Sequence, residues 1–272
     1  MKPPFFTIII PTLNEEKMLP KLLGDIEKQE ERDFELIVVD GNSEDKTPQI
    51  VRSFEDKIPL KLISVKKRSV SYQRNIGAQQ ATGEYLVFFD ADIRILPSFL
   101  TRLKKNLLIY KYLLCLPQYF SIERFFQDKA FFNMLNWVVD ASQITNLPLS
   151  LGFGMIFERN FFNHLEGFNE KLFMAEDHEI VRRAKEMGVQ TKIVKQVSMR
   201  VSIRRFKREG RLTLLRKYSL ATVQSLRTGG VEKKIFDYKM GGDYYNQSKP
   251  KSFEDEMIGH FQNIKKRLNK LT

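Results

Sequence analysis

Asp90 and Asp92 stand one residue apart at the end of the apolar run 85–89 (YLVFF), and two oxygen-donor side chains at that spacing can share a hard divalent cation. The run before them is rich in aromatic and branched residues and carries no charge, so it reads as a buried central strand. In an open α/β sheet ligands bind in the crevice beyond the carboxyl ends of the strands, where this pair of acids would stand. Taken alone, Asp90 and Asp92 serve equally well to solvate a strand end or cap the turn before Pro97. The choice depends on what other strand ends bring to the same crevice.

Two further runs end in polar groups. Residues 6–10 (FTIII) are stopped by Pro11 and followed by Thr12, Asn14 and Glu15, while residues 35–39 (ELIVV) end at Asp40. An acid at such a strand end can accept from a nucleobase N–H or a ribose hydroxyl. A cation on Asp92 can bridge diphosphate oxygens and neutralise charge on a departing nucleotide. Neither GxGxxG nor GxxxxGK[ST] occurs, so a dehydrogenase and a P-loop enzyme both lack support.

The elements that must position these groups alternate. Met18, Leu19, Leu22, Leu23 and Ile26 predict a helix over 17–29, with Pro20 in its first turn. A helical segment with Ile50, Val51 and Phe54 follows Asp40, then a weaker strand over 60–65 and a helix over 71–81. Beyond the two acids come a helix over 99–109, a strand over 113–116, and an aromatic amphipathic helix over 120–139 with Phe125, Phe132, Leu135 and Val139 on one face. That face is read as core, with a membrane-surface or acceptor-lipid contact as the alternative. Residues 151–157 (LGFGMIF) read as a strand whose Gly152 and Gly154 let something approach the backbone closely, followed by a helix over 175–187 and a strand over 192–197. The fold class is therefore α/β, a mainly parallel central sheet flanked by helices. Residues 200–217 hold Arg204, Arg205, Lys207, Arg208, Arg211 and Arg216 against Glu209 alone, either a solvated face or an anion site. The residues after Gly229 are polar and read as a loosely attached tail with a short helix over 253–268.

A net charge of +12 suits anionic partners: nucleotides, diphosphates, nucleic acid or acidic lipid. The single cysteine, Cys115, rules out an internal disulfide and a cysteine zinc site and fits a reducing compartment. The longest uncharged stretch, 141–157, is interrupted by Gln, Asn, Pro, Ser and Gly, and no signal-peptide pattern precedes the first strand. A cytoplasmic protein is expected, one able to touch an acidic membrane face.

Five segments together resemble the inverting GT-A glycosyltransferases of family 2: IIIPTLNEE at 8–16, VVDGNSEDKT at 38–47, QRNIGAQQATGEYLVFFDAD at 73–92, GFNEKLFMAEDHE at 167–179 and RRFKREG at 204–210. Their order and spacing over roughly 200 residues make the likeness specific. The resemblance implies a GT-A domain over 1–200, with a nucleotide-sugar-binding half (1–95) and an acceptor half (96–200), and a basic helical extension over 201–272. It implies that Asp40 contacts the nucleotide base, with Pro11, Thr12 and Glu15 lining that pocket and Arg74 near the donor. Asp90, Ala91 and Asp92 match the DxD motif, with Asp92 the expected ligand of Mg²⁺ or Mn²⁺. Glu176 and Asp177 match the ED pair, whose aspartate is the general base. Gly152, Arg204 and Arg205 are candidates for contacts with acceptor or phosphate.

One departure shapes the expected activity. Processive members carry a Gln-x-x-Arg-Trp motif, whereas Arg204, Arg205 and Phe206 occupy that region here and Trp137 is the only tryptophan. The expectation is transfer of a single sugar from a nucleoside-diphosphate-sugar donor to a glycan or lipid-linked acceptor. Two other readings stand beside it. A sugar nucleotidyltransferase would carry a glycine-rich basic loop where PTLNEE stands, and a basic nucleic-acid or membrane-surface module would carry an RNA-binding aromatic motif that is missing here.

Overall fold

In this computed structural model residues 2–123, 126–145 and 147–210 are described, with isolated positions between 213 and 242. The strands are β1 (Phe6–Thr12), β2 (Phe34–Asp40), β3 (Leu60–Ser64), β4 (Tyr85–Phe89), β5 (Ile93–Ile95), β6 (Leu114–Ser121), β7 (Gly154–Glu158) and β8 (Lys192–Val201). The helices are α1 (Leu19–Glu27), α2 (Thr47–Arg52), α3 (Val70–Gln79), α4 (Phe99–Tyr110), α5 (Phe126–Ser142), α6 (Arg159–His164), α7 (Glu176–Glu186) and α8 (Arg204–Glu209). All eight strands join one sheet in the order β3-β2-β1-β4-β7-β6-β8-β5.

The first half is parallel throughout, since β2 pairs with β1 and β3, and β1 with β4, all in the same direction. Connections leave β1 toward β2 on one side and reach β4 on the other. This creates a topological switch point whose crevice opens at the strand carboxyl ends. Register carries the polar groups there together, with Thr12 opposite Asp40 and Asp40 opposite Ser64. The second half mixes directions: β7 runs antiparallel to β4 and β6, β8 is parallel to β6, and β5 closes the edge antiparallel to β8.

α1 buries the face its spacing predicts. Leu19, Leu22, Leu23 and Ile26 of α1 are all in the core, and Pro20 sits where an N–H would have no partner. α3 begins at Ser69, whose hydroxyl accepts from the Tyr72 N–H, and packs on β1 and β2. Phe88 of β4, Phe157 of β7, Phe162 of α6 and Phe168 form an aromatic cluster with ring centroids 5.1 to 6.4 Å apart.

Boundaries differ from the sequence reading: β8 runs on to Val201, and β5 falls where that reading has no strand. β6 continues through Phe120 and Ser121, so the aromatic helix starts later, at Phe126, and Phe125 lies outside the described residues. A register shift between Pro117 and Gln118 lets β6 pass a proline that cannot donate to the ladder. The run 151–157 becomes strand only from Gly154, because Gly152 has φ +68°, a left-handed value no strand residue adopts. The helix expected over 253–268 lies outside the described residues.

α3 can lie this close to β1 because position 77 has no side chain: a Cβ on Gly77 would fall 2.4 Å from Ile9 Cγ2. Gly77→Ala is therefore expected to lower the free energy of unfolding by roughly 1–2 kcal/mol, overpacking outweighing the helix-propensity gain. Gly24→Ala, in α1 with open space around the new methyl, is expected to raise it by roughly 0.5–1 kcal/mol. Urea denaturation of both variants reads the contrast.

Candidate active site

The loop after β1 is pinned to the loop after β2. Asp40 is buried, with Oδ1 accepting from Thr12 Oγ1 (3.2 Å) and Ser43 Oγ (2.5 Å), and Oδ2 accepting from the Ser43 N–H (2.9 Å). The N–H of Asn14 donates to Ser43 Oγ and that of Glu15 to Thr47 Oγ1, both at 2.8 Å. Asn14 and Asn42 turn the two loops at φ +52° and +60°, a region asparagine enters at small cost. Gln73 sews the two strand ends together through Nε2, which donates to the carbonyls of Thr12 and Val39. Pro11 is buried within β1, opposite Val39.

Arg74, the next residue, is the node of the site. It is 2% exposed, and its guanidinium donates to Asp90 Oδ1 (2.9 Å), Glu176 Oε1 (3.0 Å) and the Gly152 carbonyl (3.0 Å) while lying 5.2 Å above the Phe168 ring. One buried cation thus ties the end of β4 to the start of α7 and to the loop before β7. Removal from water pushes the Asp90 and Glu176 carboxyls above their ordinary range, and Arg74 pulls both back. On Arg74 the same burial opposes the charge, but Asp90, Glu176 and Asp177 outweigh it and raise its pKa.

Asp177 sits in the first turn of α7, behind Ala175 at φ +63°. Its Oδ1 accepts from the His178 N–H (2.9 Å), and a Cβ at Gly152 would fall 3.0 Å from its Oδ2. Gly152 is thus required twice, for its left-handed φ and for its closeness to this carboxylate. His178 uses Nδ1 to accept from the Ser150 N–H (3.1 Å), which holds the same loop against α7.

After β1 and β4, Asp92 and Glu15 share a second guanidinium. Arg204 Nε donates to Asp92 Oδ2 (3.1 Å) and Nη2 to Glu15 Oε1 (2.5 Å), so the basic run after β8 turns inward here. Burial pushes the Glu15 carboxyl up to about 7 against the pull of Arg204, with Asp92 adding to the rise. The charge of Arg205 reaches both Glu15 and Asp90. Ala91 is buried between the two aspartates.

This oxygen-only set fits a hard divalent cation. Glu15 Oε2 is buried without a hydrogen-bond partner, and carboxyls pushed upward in pKa are short of positive charge. Among the described residues no three metal-ligating side chains cluster into a cage. Asp92 would therefore hold the cation together with oxygens of a bound phosphate, as Mg²⁺ usually is held.

The structure sets three bonded groups of these residues near one another: Thr12 with Asp40, Arg74 with Asp90, Glu176 and the Gly152 carbonyl, and Arg204 with Glu15 and Asp92; the charge of Asp92 reaches Asp90, and that of Asp177 reaches Arg74. Sequence reasoning missed Gln73, and also Tyr119, whose buried hydroxyl donates to the Gly154 carbonyl and whose pKa is raised by burial and then by Asp177 and Asp90. Gln73 opens the segment 73–92 but gets no role there, and no pattern marks Tyr119. The tail also comes closer than expected. Val231 is buried and accepts from the Phe173 N–H, and the Gly242 N–H donates to the Leu13 carbonyl beside Glu15.

The family model described as glycosyl transferase family 2 matches residues 7–164, more than half of the 272-residue chain. The chain is 38% identical over 91 residues to the poly(ribitol-phosphate) beta-N-acetylglucosaminyltransferase TarS of Staphylococcus aureus, covering 32% of this chain and 16% of that protein. It is 34% identical over 106 residues to the GalNAc(5)-diNAcBac-PP-undecaprenol beta-1,3-glucosyltransferase of Campylobacter jejuni, covering 38% and 34%. The matches thus span well under two thirds of either relative. The fold superposes on residues 1–349 of S. aureus TarS with a TM-score of 0.61 at 22% identity, over 74% of this chain and 62% of that one. On the mannosyltransferase PcManGT of Pyrobaculum calidifontis, solved with GDP-Man and Mn²⁺, the TM-score is 0.64 at 23% identity, over 84% and 66%. At these identities the likeness is one of fold.

Removing the shared cation of the network leaves Asp90 and Glu176 uncompensated. Arg74→Met is expected to cost about 3 kcal/mol of unfolding free energy, read by urea denaturation.

Proposed function

Because the chain belongs to glycosyl transferase family 2, we propose that it moves one sugar from a nucleoside-diphosphate-sugar to a hydroxyl of a glycan or lipid-linked acceptor, with inversion at the anomeric carbon. The observation that carries this reading is the nearness of two sets of acids: Asp92 and Glu15 around Arg204, and Glu176 with Asp177 at the start of α7, where Arg74 bonds Glu176 and Asp90 and the charge of Asp92 reaches Asp90. Donor activation needs the first set and deprotonation of an acceptor needs the second. Residues 1–95 act as the donor half and 96–200 as the acceptor half, with the segment from 201 returning Arg204 to the donor.

Asp40 accepts from the nucleobase, oriented by the Thr12 and Ser43 hydroxyls. Pro11 and Thr12 form the floor of that pocket. Asp92 would hold Mg²⁺ or Mn²⁺, which would supply positive charge to the leaving diphosphate. The GDP-Man and Mn²⁺ held by the Pyrobaculum structure support this choice of cofactor. Arg204 gives up Asp92 and turns its fork toward the diphosphate, with Arg205 beside it. Asp177 takes the proton from the acceptor hydroxyl as that oxygen forms its bond to the anomeric carbon. The bond from that carbon to the diphosphate oxygen breaks in the same displacement, and the electron pair leaves on the nucleoside diphosphate. Gly152 keeps the space beside Asp177 open, and Glu176 and Arg74 hold the aspartate's helix in place. The undecaprenol-linked acceptor named for the Campylobacter relative supports the lipid-linked class, which would set the enzyme at a cytoplasmic membrane face.

A donor screen by thermal shift, run with and without Mn²⁺ across UDP- and GDP-sugars, is expected to find at least one sugar nucleotide whose stabilisation needs the metal. Turnover of that donor should release nucleoside diphosphate, and release of pyrophosphate would overturn the reading. Asp177→Asn is expected to lower kcat by roughly 10²–10⁴-fold with donor affinity unchanged. Asp92→Asn should instead abolish the metal-dependent part of donor binding, read by calorimetry.

A further inference from the structure

α5 has two unlike faces. Phe132 and Val139 are buried, and the Asn136 side chain bonds both the N–H and the carbonyl of Tyr119, which fixes the inner face on β6. The outer face is mixed, with Lys129 and Asn133 exposed beside large apolar side chains. Met134 and Trp137 project from it one turn apart, Trp137 at 71% exposure, and just beyond the helix Ile144 (80% exposed) and Leu147 are exposed as well. Exposed Met187 adjoins it, because Lys185 Nζ donates to the carbonyls of Gln143 and Thr145. Single exposed apolar residues are ordinary, but a run of large ones along one helix marks an interaction surface.

Charge selects the occupant. Lys185, Lys192 and Lys195 lie around the end of α5: Lys195 pairs with Asp140 at 3.1 Å, and Lys192 bonds Gln190, whose side chain reaches the Gln143 carbonyl. The acids nearby, Asp140 and Glu186, are paired with Lys195 and Arg182. A second copy of a chain carrying +12 would bring the same lysines against these. An anionic bilayer answers both features, taking tryptophan at the headgroup level, aliphatic side chains at the acyl boundary and lysines among the phosphates. Among the described residues no helix is long and apolar enough to cross a membrane, so such contact would lie along its surface.

We propose that the stripe of Met134, Trp137, Ile144 and Leu147 seats this protein on an anionic phospholipid bilayer. The chain runs from Leu147 to Ser150, bonded to His178, and then to Gly152 beside Asp177. The seated face therefore leads directly into the acceptor side, where it would meet a lipid-held sugar. Only this last purpose rests on the proposed function, since binding to vesicles requires neither donor nor acceptor.

The chain carries its own probe, because Trp137 is its only tryptophan. Adding vesicles of phosphatidylglycerol and phosphatidylcholine to the full chain is expected to shift Trp137 emission to shorter wavelength and shield it from an aqueous quencher, with a weaker effect for phosphatidylcholine alone. The double variant Met134→Asp, Ile144→Asp should lose roughly tenfold or more in vesicle affinity by co-sedimentation, with an unchanged circular dichroism spectrum and unchanged donor hydrolysis. Binding without a change at Trp137, or a double variant that sediments like the parent, would overturn the proposal. So would a blue shift that appears with protein concentration alone, at doubled mass, which would assign the stripe to a second copy. Loss of vesicle binding with hydrolysis intact would leave the proposed function standing, and a protein that binds vesicles but turns over no sugar nucleotide would do the reverse.

Discussion

A guanidinium buried among carboxylates is stable only if each charge is answered, and that constraint governs this molecule through Arg74. Its three partners come from β4, from the loop before β7 and from α7, positions 16, 78 and 102 residues away in sequence. No two of these segments can shift independently without breaking a charged contact. The helix that carries Arg74 is in turn held against β1 at the Gly77 contact, so the packing of α3 sets where the acids of the second half can stand. Fold and site are one problem here: the sheet supplies the strand ends, and the arginine decides how they face one another.

A second guanidinium, Arg204, answers the acids beyond β1 and β4. Glu15, Asp92 and the nearby Asp90 bring negative charge together, and burial first, with Asp92 adding to it, pushes the Glu15 and Asp90 carboxyls up. Arg204 relieves part of it by bridging Glu15 and Asp92. A crevice of this kind favours whatever brings positive charge, and it can also accept a diphosphate once a cation and an arginine stand beside it. The same side chains thus balance each other here and, in the proposed reaction, a bound donor.

Much of this was legible in the sequence where a physical pattern extends over a whole element. Strands such as β1, β2 and β4 are buried on both faces and appear as unbroken apolar runs, and α1 shows its buried stripe at helical spacing. The segments that escaped lack such a pattern. β5 is three residues long and exists only through its pairing with β8, while β6 passes through a proline that ordinarily ends a strand. The acids at strand ends were visible as candidates, because strand ends are where α/β sheets bind ligands. The burial of Arg74 and the inward turn of Arg204 were not, since a helical or basic segment does not announce which carboxylates the rest of the chain will bring to it. Gln73 and Tyr119 act on backbone carbonyls, partners that every residue offers, so nothing in their spacing sets them apart.

The pairing of Glu15 with Arg204 joins residues 189 positions apart. On the ribosome the strands β1 to β4 are made first, yet the buried acid of that half must wait another 189 residues before its counter-charge arrives. The crevice acquires its finished electrostatics only once Arg204 has been added. A nascent chain stalled before codon 204 would carry an unbalanced pocket.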